Sequence, residues 1–356
     1  LVVGSAIAVG FAAVNLVAHL LYGHLHGGGK DVVELILADR SKPISHARRG
    51  PFTSHPYMLV VGTPHYAAHG FVQHNSKGYR GPEIGEKIAG RVRIVALGGS
   101  ATYSISVRNP ADTWPALLER LLGVEVVNAG VPYATSAEML ARYMFRDRYL
   151  SPEVVIIHAG ANDIIPLWYP NYDPEYSHFR AAGARPVVGR LEHALLTMPV
   201  FRYLYARNWM HASESMAYTW HPYGWDRVPH ADALRGSTEG SLEGFTRNLD
   251  LLVRTIKADG AAVVLFPEPQ AREPLLARNR RDVVGKERAL VVGMQRTHAV
   301  MRSVAERHKV ALIEHRQDQF PDEVFTDNMH MNERGEQIKA EIVATMLHSL
   351  RLAARR

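Results

Sequence analysis

The segment VFTDNMHMNERG, residues 324–335, holds an aspartate and a histidine three positions apart, Asp327 and His330. This spacing lets both side chains lie on one short turn, where the carboxylate can accept a hydrogen bond from an imidazole N–H and fix the tautomer of the ring. Such a pair is the orienting half of a Ser-His-Asp system. The other interpretation is a polar loop with a chance pairing. A nucleophile and an oxyanion hole elsewhere in the chain decide between the two.

Candidate partners of this pair follow three apolar runs that predict strands. Ser100 lies in GGSATYS, residues 98–104, after two glycines that allow a tight turn and an exposed hydroxyl. The loop NAGVPYATS, residues 128–136, follows the second run, and Asn162 lies in AGAND, residues 159–163, after the third. A serine hydroxyl, a nearby backbone N–H and an asparagine amide are the parts of an acyl-transfer site with an oxyanion hole. The G-x-S-x-G elbow is absent, which counts against an α/β-hydrolase.

Strand and helix patterns alternate from residue 91 onwards. The apolar runs predict buried strands over residues 91–99, 124–130, 152–160, 261–269 and 309–315. Apolar residues at helical spacing predict helices over residues 111–123, 136–150, 242–260, 288–308 and 332–356. The alternation predicts an α/β fold with three α/β/α layers, in which helices cover both faces of a doubly wound parallel sheet of about five strands.

The predicted catalytic domain covers residues 91–356 and carries an insert at residues 166–241. The insert is rich in Trp, Tyr, Pro and His, and it is too long for an ordinary connection between a strand and a helix. It leaves the carboxyl end of a strand, where ligands bind in open α/β sheets. The insert is therefore interpreted either as a lid or docking platform, or as a satellite helical cluster. Residues 23–90 are predicted to form a linker and an N-terminal wrap.

The first 22 residues carry no charged side chain. A run of this length matches the ~20 apolar residues that span a bilayer, so residues 1–22 are predicted to form a single-pass transmembrane anchor. A signal peptide is the alternative. The basic residues that follow the run place that side in the cytoplasm, whereas a basic leader ahead of Leu1 would reverse the orientation. The expected location of the globular domain is periplasmic or extracytoplasmic.

The composition excludes several classes of site. The chain of 356 residues has no cysteine, which rules out disulfides, thiolate nucleophiles and cysteine-ligated metal sites. It has no Walker A, dinucleotide-binding or HExxH motif, so neither a cofactor nor a metal ion is expected. The net charge is +6, but basic residues are scattered among acidic ones. A nucleic-acid partner is therefore not expected.

Four blocks of the sequence resemble those of the SGNH, or GDSL-like, hydrolase family. They are LGGSAT, NAGVPY, GAND and DNMHMN, and they occur in this order, each after a predicted strand. The preceding HNSKGYRGPE, residues 74–83, is similar to the lead-in of membrane-anchored bacterial members. The resemblance covers residues 74–350 apart from the insert. It implies an SGNH, flavodoxin-like fold and a serine acyl-enzyme.

The resemblance also implies a role for each candidate residue. Ser100 corresponds to the nucleophile, His330 to the general base and Asp327 to the residue that orients the imidazole. The implied oxyanion hole consists of the Ser100 N–H, the Asn162 amide and the backbone N–H of Tyr133. The residues themselves suggest the same roles for the serine, histidine, aspartate and asparagine.

Three positions depart from the family's pattern. Gly99 stands where many members have aspartate, and Ser104 stands where glycine is frequent. Tyr133 falls five positions after Asn128, where the family has the glycine of the oxyanion hole. Its N–H can still donate a hydrogen bond, but tyrosine is strained if the position requires a positive φ. We expect its ring to form one wall of the acyl pocket.

Three further polar residues have open interpretations. His158 either lines the cleft or is the buried polar end of a strand, and Arg80 either braces the site or makes a surface salt bridge. Glu268 ends a predicted strand, at a position where its side chain either faces the cleft or does not, and no catalytic role is predicted for it.

Two functions are consistent with these observations. The first is a membrane-anchored SGNH-type serine esterase or O-acyl(acetyl)transferase, whose substrate is an oxygen ester of a glycan, a lipid or a small molecule. The alternative is a catalytically silent subunit with the same fold in a larger membrane protein complex, which the tyrosine at position 133 favours. Fold alone does not decide between them.

Overall fold

The computed structural model describes residues 2–25, 30, 33, 37, 51–55, 57–169, 172–176, 190–212, 228–271 and 286–352. The remaining parts of the predicted linker and insert lie outside the described residues. The chain forms two compact units. One consists of Leu1–Gly50 with Arg180–Gly224, and the other of Pro51–Phe179 with Trp225–Arg356.

The nine strands of the described residues all belong to the larger unit. They are β1 (Phe52–His55), β2 (Leu59–Gly62), β3 (Ala67–Ala68), β4 (Phe71–Val72), β5 (Arg93–Gly98), β6 (Glu125–Gly130), β7 (Val154–Ala159), β8 (Ala262–Pro267) and β9 (Ala311–Leu312). The helices are α1 (Val2–Gly23), α2 (Ser100–Tyr103), α3 (Trp114–Leu122), α4 (Ser136–Phe145), α5 (Arg190–Leu196), α6 (Pro199–Ala212), α7 (His230–Glu239), α8 (Glu243–Ala258), α9 (Glu287–His308) and α10 (Glu333–Ser349). Short 3₁₀ turns cover Pro110–Asp112, Asp147–Leu150, Ile165–Trp168, Gln317–Gln319 and Asp322–Val324.

The last five strands form one parallel sheet in the order β6-β5-β7-β8-β9. This order, second strand first, is that of flavodoxin-like doubly wound sheets. The predicted fold class is therefore confirmed. β9 is shorter than its apolar run predicted, because only Ala311 and Leu312 pair with β8.

The sheet is buried on both faces, which explains why β5 and β7 are apolar almost throughout. Alternate side chains of a strand point to opposite faces. Val95 and Leu97 belong to the core that contains residues of α4, α8 and α9. Ile94 and Ala96 belong to the core that contains residues of α3 and α10. Burial of this kind stabilises parallel sheets, which occur almost only with both faces covered.

The larger unit begins at Pro51, well before the start predicted for the catalytic domain. β1 pairs with β2, and β3 with β4, in two antiparallel hairpins. Arg80 forms a backbone bridge to Asn128 on β6, the strand at one edge of the main sheet. The segment before β5 is thus part of the fold that builds the site.

The smaller unit joins the N-terminal helix to part of the predicted insert. Its helices are α1, α5 and α6. The backbone N–H of Val200 in α6 donates to Asn15 Oδ1 in α1 at 3.3 Å. Tyr22, Val33 and Ala206 share a small buried cluster.

α1 covers most of the stretch for which the sequence predicted a transmembrane anchor. Within the described part of the chain, however, no helix combines the length and the apolar character needed to cross a membrane.

Candidate active site

Three neighbouring strands end level with one another and bring their loops to one edge of the sheet. Gly98, at the end of β5, is in register with Gly130 of β6 and with His158 of β7. The residues that follow these strands carry the three candidate groups for acyl transfer, Ser100, Tyr133 and Asn162. Such an edge, at the carboxyl ends of the strands, is where ligands bind in this class of fold.

The structure brings Ser100, His330 and Asp327 into one hydrogen-bonded chain. His330 Nε2 lies 2.6 Å from Ser100 Oγ, and His330 Nδ1 lies 2.6 Å from Asp327 Oδ2. A carboxylate only accepts hydrogen bonds, so the Nδ1–H donates to Asp327 and Nε2 is left to accept from the serine hydroxyl. All three residues are at most 8% exposed. This is the geometry of a nucleophile with an oriented general base.

Asp327 is held by its own turn. Its Oδ1 accepts the backbone N–H groups of Met329 and His330 at 3.0 and 2.9 Å. Burial by itself raises the pKa of the carboxyl group, but the hydrogen bond and charge of His330, with these two N–H groups, outweigh it. The net result lowers the pKa of Asp327 to about 2, so the carboxylate is ionised throughout the neutral range.

Ser100 opens α2, a single helical turn packed on the end of β6. A Cβ atom at Gly130 would lie 2.2 Å from the backbone nitrogen of Tyr103, so only glycine lets the turn approach this closely. The turn ends at Ser104, whose φ is +61° and whose N–H donates to the Ser100 carbonyl. The sequence identified position 104 as one where the family frequently has glycine, and the left-handed backbone is the physical reason.

Asn162 links the nucleophile turn to the loop that follows β6. A Cβ atom at Gly99 would lie 2.4 Å from Asn162 Nδ2, which shows how closely the amide approaches the residue before Ser100. The same nitrogen donates to the carbonyl of Ala134 at 2.9 Å. An amide nitrogen carries two hydrogens, so its second N–H is left to serve as a donor to an oxyanion.

Tyr133 adopts the conformation that its place in the pattern suggested. Its φ is +63°, in the left-handed region, and its side chain is half-buried. A residue with a Cβ is strained in this region, typically by about 1–2 kcal/mol. The residue thus takes the backbone conformation of a glycine without being one.

Buried carboxyl groups fix the Asn162 loop. Glu268 Oε2 accepts the N–H of Ala161 at 2.7 Å, and burial raises the pKa of Glu268 to about 7. Asp163 accepts both the N–H and the hydroxyl of Ser136 at the start of α4, and burial raises its pKa to about 6. Glu268 therefore positions the loop.

Arg80 braces the site and does not make a surface salt bridge. It is buried, and its Nη1 donates to the carbonyls of Tyr103 and Ser104 at 2.7 and 2.8 Å. Its Nη2 donates to the carbonyl of Val107 at 2.5 Å.

His158 is a buried strand end, with Nδ1 2.9 Å from the Phe266 carbonyl, and burial lowers its pKa well below the usual value.

Sequence reasoning missed three residues that contact the nucleophile turn. His74 Nε2 lies 2.9 Å from the Tyr103 hydroxyl, and burial lowers the pKa of His74 to about 4, so the ring is neutral. Glu336 and Lys339 of α10 are buried and contact α2 and its cap. The i,i+3 spacing of Glu336 and Lys339, next to the apolar face of α10, was the only sequence signal that could have identified this buried pair.

Within the described residues, no group of three or more His, Asp or Glu side chains is placed to hold a metal ion.

Comparison with known proteins gives one family and several distant structures. A model of the GDSL-like lipase/acylhydrolase family matches residues 96–338. No curated protein matches the chain in sequence.

Three solved structures illustrate the structural similarity. A GDSL-like lipase from Bacteroides thetaiotaomicron VPI-5482 is 14% identical, with 75% of this chain and 93% of that chain covered and a TM-score of 0.41. A lipase/acylhydrolase from Enterococcus faecalis is 15% identical, with 72% and 96% covered and a TM-score of 0.38. A catalytic mutant of an acetylxylan esterase from Geobacillus stearothermophilus is 13% identical, with 73% and 95% covered and a TM-score of 0.42.

Proposed function

Because the chain belongs to the GDSL-like lipase/acylhydrolase family, we propose that it is a serine ester hydrolase that acts through an acyl-enzyme on Ser100. The observation that carries this proposal is the continuous hydrogen-bonded chain from Asp327 through His330 to Ser100, with 2.6 Å at each contact of the imidazole. A buried base that is oriented by a carboxylate on one side and bonded to a hydroxyl on the other supports a nucleophilic role for Ser100.

The acylation step follows from this geometry. Ser100 Oγ attacks the ester carbonyl carbon while its proton moves to His330 Nε2, and the carbonyl electrons move to oxygen. When the bond between the carbonyl carbon and the alcohol oxygen breaks, the imidazolium returns that proton to the departing alkoxide. The alcohol leaves, and Ser100 carries the acyl group. Asp327 stays ionised and stabilises the imidazolium.

Deacylation repeats these steps with an incoming hydroxyl. A water molecule attacks the acyl carbon and gives a proton to His330 Nε2. The Ser100 oxygen then leaves and takes that proton, so a carboxylic acid is released and the enzyme is restored. If the hydroxyl of a sugar attacks in place of water, the same intermediate gives O-acyl transfer. The proposed function therefore covers both ester hydrolysis and O-acyl transfer.

The tetrahedral intermediate needs donors to its oxyanion. We propose the backbone N–H groups of Ser100 and Tyr133 with the second N–H of Asn162 Nδ2. The contact between Asn162 and the Ala134 carbonyl, one residue after Tyr133, supports this arrangement, because it joins the two loops that supply the donors. Removing one such donor typically slows turnover by roughly 10²–10³-fold.

A second candidate is a catalytically silent member of the family that serves as a subunit of a larger membrane complex. The left-handed Tyr133, at the position of the oxyanion glycine, favours it. A side chain there is compatible with a closed acyl pocket. The intact hydrogen bonds of His330 favour the enzyme.

Covalent labelling separates the two candidates. A fluorophosphonate probe should phosphonylate the wild-type protein once, and intact mass spectrometry with peptide mapping should place the adduct on Ser100. The Ser100→Ala variant is the matched control and should stay unlabelled. An unlabelled but well-folded wild-type protein would rule out the enzymatic proposal and leave the silent subunit.

A further inference from the structure

We infer that Ser104, Glu336 and Lys339 form a buried positioning group that holds the Ser100 turn in its reactive shape. This inference rests on the proposed function, and it adds residues that act through Ser100 without touching the substrate. Ser104 has a strained backbone conformation, and side chains of α10 contact both α2 and this residue.

The strain lies at Ser104, the residue that ends the nucleophile turn. Its φ and ψ are +61° and +56°, a left-handed conformation that favours glycine. The Ser104 N–H donates to the Ser100 carbonyl, and the N–H of Ile105 donates to the same carbonyl at 3.2 Å. The conformation at position 104 therefore sets the orientation of the peptide group of Ser100.

A buried carboxylate holds Ser104 in this conformation. The Ser104 hydroxyl donates to Glu336 Oε2, and the same oxygen accepts the backbone N–H of Trp114 at 3.0 Å. Ser104 is 2% exposed and Glu336 is 1% exposed. A hydrogen bond to a charged acceptor away from water is among the stronger ones in a protein. The hydroxyl thus compensates for a conformation that glycine would adopt without strain.

Lys339 completes the group. Its Nζ pairs with Glu336 Oε1 and donates to the carbonyl of Ala101 at 3.1 Å, and the side chain is fully buried. The ammonium balances the buried carboxylate, which would otherwise be unfavourable so far from water. The pair contacts the turn at two points, position 101 through Lys339 and position 104 through Glu336.

Glu336 and Lys339 lie on the helix that follows His330, so their contacts with α2 affect the distance between the nucleophile and the general base. α10 begins at Glu333, directly after the loop that carries His330. The general base therefore lies just before this helix, and the first two turns of the helix, through Glu336 and Lys339, hold the nucleophile turn. Displacement of α10 relative to α2 would change the distance between Ser100 Oγ and His330 Nε2, and a misplacement of about 1 Å can slow turnover by about 10²-fold.

Two substitutions at one position separate positioning from simple stability. Ser104→Ala keeps the Cβ and its strain but loses the hydrogen bond to Glu336. Ser104→Gly loses the hydrogen bond and the strain together. We expect Ser104→Ala to lower kcat on p-nitrophenyl acetate by roughly 10- to 100-fold with KM little changed. We expect Ser104→Gly to stay within about threefold of wild type, because glycine adopts this conformation freely.

The role of the Glu336 carboxylate is tested in the wild-type protein and in the Ser104→Gly variant. Glu336→Gln should lower kcat in the wild-type protein but should have a smaller effect in the Ser104→Gly protein, where the turn does not depend on the hydrogen bond. Glu333→Gln, an exposed change in the first turn of α10, is the matched control and should leave kcat unchanged. Equal kcat in Ser104→Ala and Ser104→Gly, whether both are impaired or both are normal, would overturn the inference.

Two further quantities are measured for the wild-type protein and each variant: the rate of fluorophosphonate labelling and the free energy of unfolding. A wild-type protein that the probe does not label contradicts the proposed function itself. In that case a double-mutant cycle between Ser104→Ala and Glu336→Gln, measured by urea unfolding, still tests the contact. Additive effects in the cycle would contradict the inference, and a coupling between the two sites would support it.

Discussion

His330 has a different partner on each ring nitrogen, and the two contacts control different properties. In the proposed reaction the contact with Ser100 transfers the proton, whereas the contact with Asp327 decides which nitrogen carries the resting proton. Asp327 also accepts two backbone N–H groups through its other oxygen. A substitution that preserves the shape of the Asp327 side chain can therefore change the tautomer of His330 while it leaves the fold of the turn intact.

Asp327→Asn is that change. The amide oxygen can keep the backbone hydrogen bonds, but the amide nitrogen facing His330 favours the tautomer with its proton on Nε2, which cannot accept from Ser100. We expect kcat to fall by up to ~10⁴-fold while the circular dichroism spectrum stays that of wild type. Ester hydrolysis followed by stopped-flow or overnight assays measures this range. Near-normal turnover would show that the two residues are not coupled in catalysis.

Tyr133 gives a second prediction, because its backbone is strained and its ring is half-buried. Tyr133→Gly should relieve the left-handed strain and raise the free energy of unfolding by about 1 kcal/mol. It should also admit longer acyl chains, if the ring forms a wall of the acyl pocket. A series of p-nitrophenyl esters from acetate to octanoate measures the second effect. Unchanged chain-length preference would place the ring outside the pocket.

The loop after β7 depends on a carboxyl group from the end of β8. Glu268 accepts the Ala161 N–H, and burial raises its pKa from 4.5 to about 7. Between these values the unfolded chain loses a proton that the folded protein keeps. Stability from this group is therefore complete below about pH 4.5 and is lost as the pH rises through 7.

Glu268→Gln should remove this pH dependence, because the amide oxygen can accept the same N–H and carries no charge. We expect the loss of unfolding free energy between pH 5 and pH 8 to shrink by on the order of 1–3 kcal/mol relative to wild type. Urea unfolding at both pH values measures it. The exposed Glu333→Gln variant serves as control, and equal pH dependence in all three proteins would mean that Glu268 does not titrate in this range.

Some strands could be predicted from the sequence and others could not. β5 and β7 were predictable because a strand buried on both faces must be apolar almost throughout, and their ends located Ser100 and Asn162. The hairpins β1–β2 and β3–β4 were not predicted. β3 and β4 are only two residues long, and the apolar run MLVV that enters β2 lies in a segment rich in Pro, Gly and His.

Contacts across long stretches of sequence were harder to predict than elements. The Asp-x-x-His spacing indicated the bond between Asp327 and His330. The predicted strand ends, together with the four matching blocks, made Ser100 the candidate partner of this pair, 230 positions away from His330. Arg80 could not be assigned, because its partners are backbone carbonyls, which every residue has. Glu336 and Lys339 were missed since charged residues on a helix are usually exposed.

For the molecule as a whole, the sequence predicts association with a membrane through the N-terminal segment, and that association stays a prediction. Among the described side chains of α1, eight large apolar ones are exposed: Ile7, Val9, Phe11, Val14, Leu16, Val17, Leu20 and Leu21. We expect the full chain to float with liposomes in a density gradient. The variant with Val14→Asp, Val17→Asp and Leu21→Asp should stay at the bottom, whereas the alanine equivalents should float. Equal recovery of all three proteins at the bottom would contradict the prediction.

The hydrogen bond between Ser100 and His330 joins residues 230 positions apart, and this separation has a consequence for biosynthesis. A ribosome that adds ~5–20 residues per second needs roughly 10–50 s between them. Throughout that interval the emerging polypeptide holds a serine without its base, so it cannot cleave esters while it is being made. The same separation raises the contact order, and proteins with many such distant contacts fold slowly. Activity in a cell-free translation reaction should therefore lag behind the appearance of the N-terminal part of the chain.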